Sequence, residues 1–290
     1  MRKNKAILGV LIAVIVALVF TGVYFASKSD SSKDTSAKTT KSDNNTSENK
    51  DKKDKSKSDK NVEKKTEEKT EAETETTTEQ ILDTDKVVYL TFDDGPSDLT
   101  PSFIDTLNTY GVHATFFVTL QEGREDIYKQ ILENGNKIQI HTASHDYDAI
   151  YQSVDAYIAD FDQIYNYIYN LTGVKCDVFR FPGGSNNSYG KNITMDIARE
   201  MRNRGINYVD WNSSVGDGSA SATKDSEVQK ITAESDGVQR VVLLAHDAGT
   251  KSETLAALPQ IIEYYKNNGY KFGLISGDMD LSDFQFMKVD

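Results

Sequence analysis

The sequence predicts an α/β domain built on a parallel sheet, and two observations lead to that fold class. Strand-like runs alternate with helix-like runs about seven times after Asp85, a pattern typical of a parallel sheet with helical crossovers. Residues with chemically capable side chains recur where the strand-like runs end, which is where functional loops of such sheets lie. A closed barrel and an open, doubly wound sheet would both account for these observations.

The individual elements follow from apolar runs, turn residues and glycines that end helices. The run KVVYLTF, for example, is β-rich and ends in the turn DDGPS, and the helical run after it ends at Gly111. The predicted strands are 86–92, 113–118, 137–140, 177–181, 206–211, 238–246 and 270–276. The predicted helices are 100–111, 124–135, 151–172, 193–205, 226–235 and 252–269.

Residues 1–27 are predicted to form a cytoplasmic basic tip and a transmembrane signal-anchor. Arg2, Lys3 and Lys5 precede an uncharged run from Ala6 to Ser27, which is long enough for the ~20 helical residues that a bilayer core requires. The positive flank predicts a single-pass protein of the cell membrane with the remainder of the chain outside the cell. A signal peptide that is cleaved to give a secreted form is the alternative.

Residues 28–83 are predicted to be a disordered, charged linker, because they contain almost no large apolar residues. Residues 84–290 carry the periodic pattern and are predicted to form one folded domain. Between residues 81 and 290 there are 31 Asp and Glu against 17 Lys and Arg, a balance that disfavours nucleic acid as a partner. The single cysteine, Cys176, excludes an internal disulfide.

The run HTASH contains a candidate metal-binding pair. His141 and His145 have a spacing that lets two imidazoles face one ion. Asp94 of TFDDGPS would add a carboxylate and complete a ligand set for one divalent transition metal. Zinc is the preferred ion, with cobalt and nickel as alternatives. Two histidines on a solvated loop are the simpler interpretation of HTASH by itself.

The neighbouring Asp93 is a candidate general base acting on a water activated by that ion. Arg180, in RFPGG, sits where it could pair with Asp93 and keep it ionised. A backbone N–H of the glycines that follow could help to hold an oxyanion. A turn whose aspartates cap the next helix is the alternative interpretation of DDGP.

The strand VVLLAH ends at His246, which could protonate a leaving amine. An acidic partner would raise the pKa of this histidine, and Asp217 is the candidate while Asp247 is the rival. A hydrogen-bonded structural histidine is the alternative. The absence of G-x-S-x-G from the sequence argues against the commonest form of serine hydrolase.

Taken in order, TFDDGPS, HTASH, RFPGG, WNSSVGDG and LAH resemble the motifs of the NodB-homology polysaccharide deacetylases, the fourth carbohydrate esterase family. The resemblance covers about residues 84–276. It implies a distorted (β/α) barrel of about seven parallel strands, with residues 84–290 as the catalytic domain. It also implies hydrolysis of N-acetyl groups on a β-linked amino-sugar polymer.

The same resemblance implies roles for particular residues. These are Asp93 as base, Asp94, His141 and His145 as metal ligands, Arg180 to orient the base, the Gly183 N–H at the oxyanion, Leu244 in the acetyl pocket, and His246 as acid tuned by Asp217. Two positions depart from the family pattern, because Gly183 replaces a common aromatic and Gly218 replaces a common Trp. Both changes remove bulk near the expected cleft.

We therefore expect a membrane-tethered extracellular enzyme whose partner is a glycan, with peptidoglycan N-acetylglucosamine as the preferred substrate. Chitin oligomers, poly-N-acetylglucosamine and acetyl xylan are alternative substrates. An inactive glycan-binding module with the same fold is the alternative of a different class. The oligomeric state stays open.

Overall fold

The computed structural model describes residues 81–289. The predicted membrane anchor over 1–27 and residues 28–80 of the predicted linker over 28–83 lie outside these residues. Leu82 and Asp85 are joined by hydrogen bonds in a turn that precedes the first strand. Across residues 81–289, no helix combines the length and the hydrophobicity that crossing a bilayer requires.

The described residues contain one sheet of eight strands, and every pair of neighbouring strands is parallel. The strands are β1 Lys86–Asp93, β2 Thr115–Thr119, β3 Lys137–Thr142, β4 Val178–Phe179, β5 Asn207–Tyr208, β6 Ser213–Ser214, β7 Arg240–His246 and β8 Tyr270–Phe272. Their order is β5-β4-β3-β2-β1-β7-β6, and β8 pairs with the start of β1. The predicted parallel α/β class is confirmed.

The connection between β5 and β6 shows that this sheet is curled. These two strands lie at opposite ends of the strand order, yet only residues 209–212 connect them. Tyr208 and Ser213 can therefore be at most about 19 Å apart, whereas the edges of a flat seven-stranded sheet lie about 29 Å apart. The sheet must bend round on itself, so the structure is a distorted barrel and not an open, doubly wound sheet.

Seven α-helices lie in the described part of the chain. They are α1 Thr100–Tyr110, α2 Glu125–Glu133, α3 Tyr147–Ile150, α4 Val154–Thr172, α5 Thr194–Asn203, α6 Lys224–Ser235 and α7 Ser252–Asn267, and a 3₁₀ helix covers Ser282–Phe284. The predicted helix start at Tyr151 is wrong. The Ser153 side chain accepts a hydrogen bond from the Ala156 N–H and so caps α4, while Tyr151 follows the separate helix α3.

Several strand limits also differ from the prediction. The strand predicted from His113 begins at Thr115, because the Ala114 N–H donates to the Asn136 side chain and not to the ladder. β4 and β5 are shortened to two residues each, and the two-residue strand β6 was not predicted. These short strands lie at and next to the two ends of the strand order.

Alternation along β1 separates two apolar cores. Val88, Leu90 and Phe92 belong to the larger core, which includes the buried residues of the helices, whereas Val87 and Tyr89 belong to a smaller inner core. Asp93 continues the face of Val87 and Tyr89. The strand therefore places the Asp93 carboxylate inside the barrel at the carboxyl end of β1.

Candidate active site

A buried ion pair between Asp93 and Arg180 lies at the centre of the candidate site. Asp93 is 2% exposed and Arg180 is fully buried. The Arg180 Nη1 donates to Asp93 Oδ1 at 2.8 Å and to Thr91 Oγ1 at 2.8 Å, and the guanidinium lies 4.2 Å from the centre of the Phe117 ring. Its Nε and Nη2 donate to the carbonyl oxygens of Val209 and Asp210, respectively. The guanidinium is thus held in place from several sides, as a buried charge pair requires.

Asp94, His141 and His145 form a group that could hold a metal ion, since one ligand atom of each lies within 4.8 Å of the others. Asp94 Oδ1 lies 3.5 Å from His141 Nε2 and 3.3 Å from His145 Nε2. This oxygen is buried and has no hydrogen-bond partner in residues 81–289. Asp94 and His145 also have positive φ angles of 73° and 53°, a conformation that costs energy in residues other than glycine.

Neighbouring groups orient the two imidazoles. His141 Nδ1 lies 2.8 Å from the carbonyl oxygen of Arg180; a proton on Nδ1 makes this a hydrogen bond and leaves the Nε2 lone pair for a metal. The backbone N–H of His145 donates to the Thr142 hydroxyl at 2.7 Å. The buried Asp160 carboxylate accepts from the backbone N–H groups of Ala143 and Ser144, which precede His145. Burial lowers the pKa of His141 against the opposing charges of the two aspartates, which favours the neutral imidazole that metal binding needs.

His246 and Asp217 form a second charged pair. The ring nitrogen Nδ1 of His246 lies 2.7 Å from Asp217 Oδ1, and the backbone N–H of His246 donates to Asp217 Oδ2 at 2.8 Å. Burial acts to lower the pKa of His246, but the hydrogen bond and the charge of Asp217 outweigh it, so the pKa lies above its usual value. The rival Asp247 instead accepts hydrogen bonds from Ser97 and Thr100 in the segment that follows β1.

The register of the sheet places these groups next to each other. Asp93 on β1 lies directly opposite His246 on β7. Leu244 is two residues before His246, so both side chains lie on the face that also carries Val242 of the inner core. A carboxylate that can accept a proton and an imidazole that can donate one thus lie on neighbouring strands, and the first of them directly precedes the candidate ligand Asp94.

Two tyrosines at the site were missed by the sequence analysis. A side chain at Gly183 would lie 3.2 Å from the Tyr147 ring and hydroxyl, so Tyr147 fills part of the space that the glycine leaves. The Tyr147 ring is also 5.3 Å from the ring of His145 and 5.0 Å from that of Tyr189, which is 60% exposed. Tyr147 follows HTASH by two residues, and this proximity to a metal-ligand motif is the signal that could have found it.

Gly218, the second position that departs from the family pattern, borders open space. A Cβ at this position would have no atom within 4 Å. The residue lines a cavity of about 400 Å³ that is also bounded by Asp217, Glu227, Lys251 and Thr254. The missing bulk therefore leaves a recess beside the His246–Asp217 pair.

Comparison with known proteins agrees with the motifs. The polysaccharide deacetylase family profile matches residues 80–206. YheN of Bacillus subtilis (strain 168), which carries the same family name, is 30% identical over 206 residues, and the alignment covers 67% of this chain and 69% of YheN. The chain belongs to the polysaccharide deacetylase family. The predicted resemblance is thereby confirmed, and so is the prediction that the protein is an enzyme of the hydrolase class.

Two further members of this deacetylase group differ in the substrates that they are named for. A bifunctional xylanase/deacetylase of Pseudobutyrivibrio xylanivorans is 33% identical over 195 residues, which cover 66% of this chain but only 30% of that protein. The crystal structure of the catalytic domain of a peptidoglycan N-acetylglucosamine deacetylase from Eubacterium rectale has a TM-score of 0.66 and 32% identity. It covers 74% of this chain and 98% of that domain.

Proposed function

We propose that this deacetylase is a metal-dependent enzyme that removes N-acetyl groups from peptidoglycan N-acetylglucosamine. The observation that carries the proposal is the register pair of Asp93 and His246, a proton acceptor and a proton donor on the neighbouring strands β1 and β7, next to the ligand group of Asp94, His141 and His145. The likeness to the Eubacterium rectale catalytic domain supports the choice of peptidoglycan. The relative with xylanase and deacetylase activities supports acetyl xylan as the second candidate.

The three proposed ligands fit a divalent transition metal. A buried carboxylate oxygen without a hydrogen-bond partner in the described residues is costly, and it faces two imidazole nitrogens that metals of this class prefer. We propose Asp94, His141 and His145 as the ligands and zinc as the ion, with cobalt and nickel as alternatives. When bound, such an ion polarises a carbonyl oxygen and lowers the pKa of water.

The proton transfers are assigned to residues of the chain itself. Asp93 accepts the proton of the attacking water, and the buried guanidinium of Arg180 fixes one of its oxygens so that the other is free for this task. His246 donates a proton to the departing amine from Nε2, because its Nδ1 is already paired with Asp217. The Gly183 N–H is proposed to hold the oxyanion, and Leu244 to contact the acetyl methyl group.

Acetate release from a panel of acetylated glycans tests this function. We expect release from peptidoglycan, its loss after chelation, and its return when zinc, cobalt or nickel is added back. Chitin oligomers, poly-N-acetylglucosamine and acetyl xylan belong in the same panel because they separate the substrate alternatives. Metal binding without acetate release from any of these glycans would instead favour an inactive glycan-binding module with the same fold.

We also propose that residues 1–27 anchor the enzyme in the cell membrane and that residues 28–83 tether the catalytic domain outside the cell. The basic flank of Arg2, Lys3 and Lys5 before an uncharged run supports this arrangement. Fractionation should recover the full chain with membranes, and deletion of residues 2–27 should release it. Full-length protein in the soluble fraction would contradict the anchor, and an N-terminus that begins after residue 27 would indicate the cleaved, secreted form.

A further inference from the structure

Glu227 is a buried carboxyl group that the proposed mechanism does not use. It lies in the first turn of α6 and is 1% exposed. Its Oε1 lies 3.2 Å from the Thr254 hydroxyl, and its Oε2 is buried without a hydrogen-bond partner in residues 81–289. An ionised carboxylate in such a place would be strongly destabilising, so its protonation state needs a structural explanation.

Thr254 connects Glu227 to the His246 pair. The Thr254 hydroxyl, in the first turn of α7, lies 3.1 Å from Asp217 Oδ2. Asp217 Oδ1 is in turn 2.7 Å from His246 Nδ1. A continuous chain of contacts therefore runs from Glu227 through Thr254 and Asp217 to the imidazole, and its first three members are at most 4% exposed.

The number of hydrogens available between Glu227, Thr254 and Asp217 determines which group donates in each contact. The Thr254 hydroxyl has one hydrogen but touches two carboxyl groups. Burial acts to raise the pKa of Asp217, but its contacts with His246 hold the pKa below the usual value, so Asp217 is the ionised member and accepts that hydrogen. The contact between Thr254 and Glu227 is then a hydrogen bond only if Glu227 donates, which requires a protonated carboxyl group.

The charges around Glu227 also favour its protonated form. Burial, and then the negative charge of Asp217, raise the pKa of Glu227 to about 7, and Glu253 acts in the same direction. The Thr254 contact and the Lys251 ammonium oppose the shift. Lys251 does not neutralise Glu227 directly, because its Nζ donates to the Asp217 carbonyl at 2.6 Å.

We propose that Glu227 is a neutral carboxylic acid that positions the His246 imidazole through Thr254 and Asp217. Glu227 donates to Thr254, Thr254 donates to Asp217, and Asp217 is thereby fixed against the imidazole. Glu227 is a positioning residue, since it does not reach the reacting atoms, and its importance for turnover rests on the proposed role of His246 as the general acid.

The first test measures thermal unfolding of the full chain against pH for wild type and Glu227→Gln. Between pH 4.5, the usual pKa of a glutamate, and about 7, the folded wild type keeps a proton that the unfolded chain releases. Wild-type stability therefore falls with rising pH in this window, and Gln lacks that loss. We expect the Tm of the variant minus that of wild type to rise across the window and to level off above it.

Glu253→Gln, which removes an exposed carboxylate from the same region, is the matched control for the loss of one negative charge. A Glu227→Gln difference that stays constant with pH, or that only matches the Glu253→Gln difference, would show that Glu227 is ionised in the fold and would overturn the proposal.

The second test follows the titration of His246 by NMR in the metal-free full chain, labelled in the imidazole rings of its four histidines. Thr254→Val should move the His246 midpoint upward, because Asp217 loses a donor and its charge then acts more strongly on the imidazole. Thr254→Ser restores the hydroxyl and should restore the wild-type midpoint. Asp93 and Asp94, which also act on His246, are the same in every variant.

The matched pair Glu227→Leu and Glu227→Gln tests the hydrogen bond that Glu227 is proposed to donate to Thr254. We expect Leu to shift the His246 midpoint in the same direction as Thr254→Val but by less, and Gln, whose amide can donate, to leave it near the wild-type value. A wild-type midpoint in Glu227→Leu would refute the positioning role. Neither measurement uses a substrate or a metal, so a failure of the deacetylase proposal in the acetate assay remains distinguishable from a failure here.

Discussion

Asp93→Asn is expected to reduce acetate release by roughly 10²–10⁴-fold, the usual contribution of a general base. Asn cannot accept the proton of the attacking water. Its amide oxygen can still accept from the Arg180 guanidinium, so the local geometry is largely kept. Because a buried charge then lacks its counter-charge, we also expect the free energy of unfolding to fall by up to about 3–5 kcal/mol.

The measurement is the kcat for acetate release together with metal content and thermal unfolding. Metal content should stay at the wild-type level, since Asp93 is not one of the proposed ligands. Asp98→Asn is the matched control: it removes an exposed carboxylate five residues away, whose partner is the surface residue Arg124. Turnover near the wild-type level in folded, metal-loaded Asp93→Asn would mean that another group takes the proton.

Much of the fold could be predicted because its signals are local. Buried parallel strands such as β7 are continuous apolar runs, and helix ends such as Gly111 need the left-handed conformation that glycine adopts readily. The strand β6 has no such signal, because it consists of two serines and exists only through pairing with Leu243 and Leu244. The curling of the sheet likewise follows from the strand order, which the sequence does not display.

In the candidate site, too, residues in local sequence motifs could be predicted and residues brought together only by folding could not. The candidate ligands and Asp93 were found because they lie in short motifs at strand ends. Asp217 was preferred to Asp247 as the partner of His246 although Asp247 is adjacent to His246 in the chain, and the hydrogen bonds of the folded chain pair His246 with Asp217. Glu227 resembles an ordinary glutamate in the first turn of a helix, and only the folded chain shows that it is buried behind Asp217.

Asp94→Asn is expected to weaken metal binding strongly and to abolish turnover. In wild type, an ion that binds only the folded state should stabilise the protein by about 4 kcal/mol when the free ion concentration is 1,000 times the Kd. The variant loses the only anionic member of the proposed ligand set, and we expect its affinity to fall by more than the ~100-fold that changes to supporting residues cause. The measurement is the increase in Tm on adding zinc to the chelator-treated full chain.

The Tm of the metal-free protein provides the internal check. In wild type without metal, the Asp94 oxygen is a buried acceptor without a partner in the described residues, and its backbone has a positive φ that Asn tolerates as well as Asp. Metal-free Asp94→Asn should therefore melt at or above the wild-type temperature, while most of the increase on adding zinc is lost. His113→Gln, which changes a histidine outside the ligand group, should keep the full increase. A zinc-dependent increase that survives in Asp94→Asn and is lost in His113→Gln would place the metal elsewhere and remove the basis for a hydrolytic centre at Asp93.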